Sequence, residues 1–159
     1  MAGPATGYRP RMRTKLRHLP ARAAAGAYIL SSGLDKLEAD DDRAKQLQVW
    51  AAEAYPQLAE LDAPTFARGV AVGEVALGSA LLLPIVPSPV AGFGLGVFSA
   101  ALLGMYLRTP GMRREHGLRP TRDGMALAKD IWMLGIAGTL LLDGGGWATR
   151  RRRRRAGPA

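Results

Sequence analysis

Gly69-Val-Ala-Val-Gly-Glu-Val-Ala-Leu-Gly-Ser-Ala-Leu-Leu-Leu-Pro84 is an apolar run with one carboxylate, Glu74, near its middle. It reads as most of a membrane span running from about Pro64 to Leu83, because a bilayer core takes roughly 20 residues of helix. That places Glu74 deep in the hydrocarbon. An ionised carboxylate there is costly, so it is protonated, paired or hydrated.

Downstream, Pro84, Pro87 and Pro89 predict a tight turn, followed by a span from about Val90 to Leu107. Gly92, Gly96, Ala100 and Gly104 repeat every fourth residue along it, lining one face with small side chains that let another helix approach closely. The partner helix belongs either to the same chain or to a second copy. Residues 108–124 carry five Arg with Pro110, Gly111, Gly117 and Pro120 and read as a connector. Thr121 or Asp123 is placed to cap a last span, about Met125 to Leu142, which carries Lys129 and Asp130.

Upstream, the acidic stretch 38–62 places Leu47, Trp50, Ala51, Ala54, Leu58 and Leu61 at helical spacing, with Pro56 breaking the run. Two short amphipathic helices are expected, lying on the bundle or membrane surface or docking a partner. Before them, Ala21 to Leu37 is a short first span started by Pro20, with Arg22 and Lys36 snorkelling to opposite interfaces. Asp35 and Lys36 close it. Residues 1–19 form a basic arm, 20–143 the helical domain and 144–159 an Arg-rich tail. The expected fold is therefore an all-α, integral membrane four-helix bundle, with a short amphipathic segment between its first and second helices.

The mean hydropathy of −0.01 averages over strong segregation. Twelve of the 22 Lys and Arg lie in the first 22 and last ten residues. A net charge of +9 is read as attraction of basic flanks to anionic headgroups, not as nucleic-acid binding, since no RNA-binding aromatic signature or helix-turn-helix pattern accompanies it. Cysteine is absent and only His18 and His116 exist, both in polar segments. That removes dithiol chemistry, thiolate nucleophiles, iron–sulfur ligation and bis-histidine haem ligation within the spans, and no metal site is expected. The N-terminus lacks the long apolar region of a signal peptide. The positive-inside count mildly favours three spans, because the Arg-rich connector opposes the basic termini if the first segment crosses.

Several segments, taken in order, resemble the DoxX-like membrane proteins. Gly26-Ala-Tyr-Ile-Leu-Ser-Ser-Gly-Leu-Asp-Lys-Leu37 is similar to that family's first helix and Gly73-Glu74 to its second. Lys129-Asp130-Ile-Trp-Met-Leu-Gly135 is similar to its fourth helix and Gly117-Leu-Arg-Pro-Thr-Arg-Asp-Gly124 to its third connector. The resemblance covers roughly residues 20–143. It implies four spans in a bacterial plasma membrane with both termini cytoplasmic, so that the short first segment does cross. Some members of that family are membrane subunits of oxidoreductases, among them thiosulfate:quinone oxidoreductase. The acidic first loop with Trp50 and the hexa-arginine tail depart from the family pattern.

Glu74, Lys129, Asp130, Lys36 and Asp35 then form an intramembrane polar cluster, with Lys129 expected as the partner of Glu74. The cluster serves either as structural glue or as a quinone or proton site. The expected function is a membrane anchor or quinone-interacting subunit of an oxidoreductase complex, with a soluble oxidoreductase or sulfurtransferase as partner and no covalently bound cofactor. The alternative is a small-solute or proton transporter or channel acting as a homo-oligomer.

Overall fold

The computed structural model describes residues 16–114, 117–122, 124–128 and 130–142, and over these the chain is helices joined by turns, with one isolated bridge between Arg113 and Pro120. A 3-10 turn, Leu16–His18, leads into α1, Leu19–Leu37. Helix α2 spans Asp41–Ala54 and is followed by a second 3-10 turn, Pro56–Glu60. Helices α3, Ala63–Leu82, and α4, Ser88–Arg108, are long and apolar. The chain closes with α5, which begins with the turn Met125–Ala128 and completes the apolar stretch Met125–Leu142.

Local signals set these boundaries. Pro20, Pro64 and Pro89 sit in first turns, where a missing N–H costs nothing. Asp40 caps α2 by accepting from Arg43 N–H at 2.9 Å. Asp62 caps α3, accepting from the N–H of Thr65 at 3.1 Å and its hydroxyl at 2.7 Å. The Thr65 hydroxyl and N–H hold the Asp62 carboxyl below its ordinary value. Ahead of α5, Gly124 N–H donates to Thr121 Oγ1 at 3.2 Å. Asp123, the other expected cap, lies outside the described residues.

Helices α1, α3, α4 and α5 share one core, built from Ala25 and Ile29, Leu81, Ala91 and Leu95, and Met133, Ala137 and Leu140. Adjacent members run antiparallel, so the start of α1, the end of α3, the start of α4 and the end of α5 meet at one end. Helix α1 runs closely along α3. Glycine makes this possible, since a Cβ on Gly78 would lie 2.6 Å from Leu30 N, and one on Gly33 2.8 Å from Val75 N. Backbones approach where side chains would otherwise hold them apart.

Helices α3, α4 and α5 are long and apolar enough to cross a membrane, and α1 is not among them. Large apolar side chains face outward along all three, including Val72, Val90, Phe93, Val97 and Ile131. An apolar surface this continuous suits lipid better than water.

Arg22 corrects a sequence expectation. It does not snorkel; it is 1% exposed at the shared end. Its guanidinium donates to the carbonyls of Ala80, Leu81 and Leu83 at 2.8–2.9 Å, closing the C-terminus of α3. It also reaches Val86 O at 3.0 Å and Ser88 Oγ at 3.2 Å, while His18 Nδ1 meets the same hydroxyl at 3.2 Å. A delocalised cation here satisfies orphan carbonyls and complements the negative helix end. Residues 16–19, expected in the arm, are thus part of the fold. The remaining arm, 1–15, and the tail, 144–159, lie outside the described residues.

Candidate functional site

Near the other end of the bundle, Gly33 brings α1 against Ala71, Glu74 and Val75 of α3. One turn further along α1, Lys36 extends into this contact. Lys36 Nζ lies 2.8 Å from Glu74 Oε2, with side chains 19% and 6% exposed. The ammonium also donates to Ser32 Oγ at 2.6 Å. Among the described residues Glu74 therefore pairs with Lys36; the sequence reading expects Lys129 in that place. Lys129 itself lies outside the described residues.

Asp130 is buried on α5 and faces the same interior cavity as Lys36 and Glu74. Asp35 does not: it sits about 100° further round α1 than Lys36 and is exposed. Among the described residues the cluster is Lys36, Glu74 and Asp130, with the Ser32 hydroxyl beside it.

The cavity measures about 820 Å³. Its remaining wall is almost wholly apolar, with Ile29 from α1, Phe66, Val70 and Leu77 from α3, Phe98 and Leu102 from α4, and Met133 from α5. Leu47, Trp50 and Ala51 of α2, with Tyr55 just past its end, close it at the connector end. The amphipathic segment thus lies on the bundle as a lid, and Leu61, the last residue of its predicted stripe, is exposed. Tyr55 OH donates to Ala101 O at 3.0 Å, and its ring lies 4.9 Å beneath the Arg108 guanidinium. Gln48 Nε2 donates to Leu58 O at 3.0 Å and Ala59 O at 3.3 Å, and also to Leu61 O, tying α2 to the turn that follows. A smaller cavity of about 490 Å³ lies on the far side of Trp50, bounded by Glu53 and residues 109–112.

The small-residue face of α4 divides among several neighbours. Gly92 packs on Leu140 and Gly96 on Ala137 of α5, whereas Ala100 is exposed. Gly104 seats the Tyr55 hydroxyl, since a Cβ there would overlap it. Its role is to hold the lid.

The site offers an ammonium donor, two carboxyl groups and a hydroxyl in an otherwise apolar chamber. These groups can hold a polar head and move protons. They cannot move electrons, and among the described residues no three His, Asp or Glu side chains converge as a metal site would require. Arg22 and its carbonyl cage went unrecognised in the sequence, where nothing local links residue 22 to residues 80–88. Comparison with family models, with curated proteins and with solved structures finds no match, so the site is read from its own residues.

Proposed function

We propose that the chain is a DoxX-like integral membrane protein serving as a quinone-interacting subunit of an oxidoreductase complex. The observation that carries this reading is the chamber of about 820 Å³, apolar and aromatic except for Lys36, Glu74, Asp130 and Ser32 on its wall. It has room for a quinone ring and the beginning of its tail. When bound, a quinone accepts two electrons and two protons. This chain holds no redox side chain, so the electrons come from a partner dehydrogenase.

Lys36 supplies the hydrogen-bond donor for a ring carbonyl. Glu74, held 2.8 Å from that ammonium, is the group best placed to pass a proton, with Asp130 as a second carrier. The lid formed by α2 covers the connector end of the chamber and reduces its contact with water, which strengthens each of these polar contacts.

In this reading α1 is a fourth span. Its two inward-facing cations are already satisfied, Arg22 by carbonyls and Lys36 by Glu74, so neither needs water. The 12 basic residues near the two termini then place both ends on the cytoplasmic side of a bacterial plasma membrane. A single cysteine introduced at Lys45, exposed on α2, should react with an impermeant thiol label in whole cells, and one at Ile85 should be protected. The reverse pattern would invert the topology, and labelling of both positions would remove it.

The test of function is quinone titration of the protein in lipid nanodiscs, read by quenching of Trp50 after Trp132 and Trp147 are replaced by Phe. Saturable quenching that survives Glu74→Gln is expected. Turnover with the partner dehydrogenase should fall by about 100-fold in the same variant, the usual scale of a lost proton-transfer group. Quenching that stays linear to the solubility limit would remove the quinone reading.

A further inference from the structure

We infer that the chamber is filled sideways, from the bilayer, through a crevice between α3 and α4 that accepts an isoprenoid tail. This deepens the quinone reading and rests on it.

The two helices are consecutive and joined by a five-residue turn, yet they touch far less than α1 and α3 do. They meet where Leu77 lies against Gly94, 3.1 Å from the position of a Cβ there. They are bridged again by α2, which packs on both, and Tyr55 just past its end donates to Ala101 O. Gly94 and Ala101 are seven residues apart on α4, about 10 Å of helix, and within that interval a Cβ on Gly96 would meet Ala137 of α5 and nothing of α3 within 4 Å. Gly73 faces this interval from α3 and Val97 from α4, and both line the chamber.

The lips of the interval face outward. Phe93 is 66% and Val97 57% exposed although both belong to the chamber wall. A Cβ on Gly73 would meet nothing within 4 Å. Gly73 is ten residues from the start of α3, about 15 Å by helical rise, and Val97 is about as far from the end of α4, so the opening lies at mid-depth of the spans. There it faces hydrocarbon and not headgroups.

Neighbouring residues divide the two roles. Glu74 follows Gly73 and points about 100° away, toward α1 and Lys36. The polar groups therefore form the back of the chamber and the apolar crevice its mouth. That distribution matches an amphiphile whose head enters first and whose tail remains in the opening. A water-borne solute would need a polar entrance, and the α2 lid covers the connector end with Leu47, Trp50 and Tyr55.

Gly73→Leu tests this directly. It fills the mouth, meets no neighbour at its Cβ, and replaces a helix-interior glycine with a better helix former, so folding is not endangered. Gly69→Leu, one turn earlier, is equally open and lies outside the chamber wall, and serves as the control. Each variant in nanodiscs is titrated with a headgroup-only quinone and with a long-chain isoprenoid quinone, reading Trp50.

Gly73→Leu should raise Kd for the long-chain quinone by about tenfold or more, the loss expected when a methylene pair is denied burial. The headgroup-only quinone should bind it as it binds the parent, and Gly69→Leu should bind both normally. Equal affinities of all three proteins for the long-chain quinone would overturn the crevice and leave the quinone reading intact. Equal weakening of both quinones by Gly73→Leu would also overturn it, because the substitution would then be filling the head site. Failure of both quinones to bind the parent would overturn both readings together.

Discussion

Arg22→Leu is expected to cost about 4 kcal/mol of stability, enough to abolish assembly of a marginal membrane domain. The guanidinium makes at least five hydrogen bonds, four of them to carbonyls at or just beyond the C-terminus of α3. Bonds to a charged donor are worth about 1.5–3 kcal/mol each when they replace water, but these share one group and do not add. Most of the cost is in the carbonyls left behind at the end of α3, of which Leu83 O keeps the Val86 N–H at 3.2 Å. Arg22→Lys should recover only part of the loss, because an ammonium has three donors and no planar fork. The measurement is thermal unfolding in detergent of the two variants beside the parent. A cost below about 1 kcal/mol for Arg22→Leu would mean that water reaches this end of the bundle and replaces the cage.

The helices themselves were legible because each rests on a local signal. Apolar runs of span length, a proline in a first turn and an Asp cap ahead of a helix all lie within a few residues of what they determine. The lid was legible as well: Leu47, Trp50 and Ala51 recur at helical spacing, and all three face the chamber. Pairings between helices were not. Sequence gives the angle of a side chain around its own helix but not the height at which two helices meet, nor how closely. Lys36 reaches Glu74 because Gly33 and Gly78 draw α1 onto α3. Gly26 and Gly33, seven residues apart on α1, were the available sign of that contact. The glycine repeat of α4 stood out more clearly, yet only Gly92 and Gly96 of its four members serve helix packing, and Gly104 serves Tyr55. Arg22 was misread for a related reason. A cation three residues into a short span ordinarily reaches outward, and only the folded end of α3 with the turn after it, residues 80–88, supplies the acceptors that hold it in.

The Lys36–Glu74 pair should show the largest coupling between two residues in the protein. Lys36→Met removes the cation and strands a carboxylate that is 6% exposed, so a loss of about 3 kcal/mol is expected. That figure is at the lower end for a broken buried pair, because the ammonium keeps 19% of its side chain exposed and water can reach the vacated position. Glu74→Leu strands the ammonium, which still has the Ser32 hydroxyl and can swing toward the exposed end of α1, so the cost should be smaller. Removing both leaves no uncompensated charge. The double variant Lys36→Met/Glu74→Leu should recover most of the loss and approach the parent, since an apolar pair of similar volume often matches a buried ion pair in stability. The same double variant should lose the polar end of the chamber, so stability and quinone binding part company: the bundle persists and the ligand does not. Thermal unfolding of the four proteins gives the coupling energy, and Trp50 quenching gives the binding. Strictly additive stability losses would mean that the 2.8 Å contact contributes nothing, and the pairing would have to be sought with Asp130 or Lys129. A double variant that is stable and still binds quinone normally would leave Lys36 and Glu74 as helix glue alone.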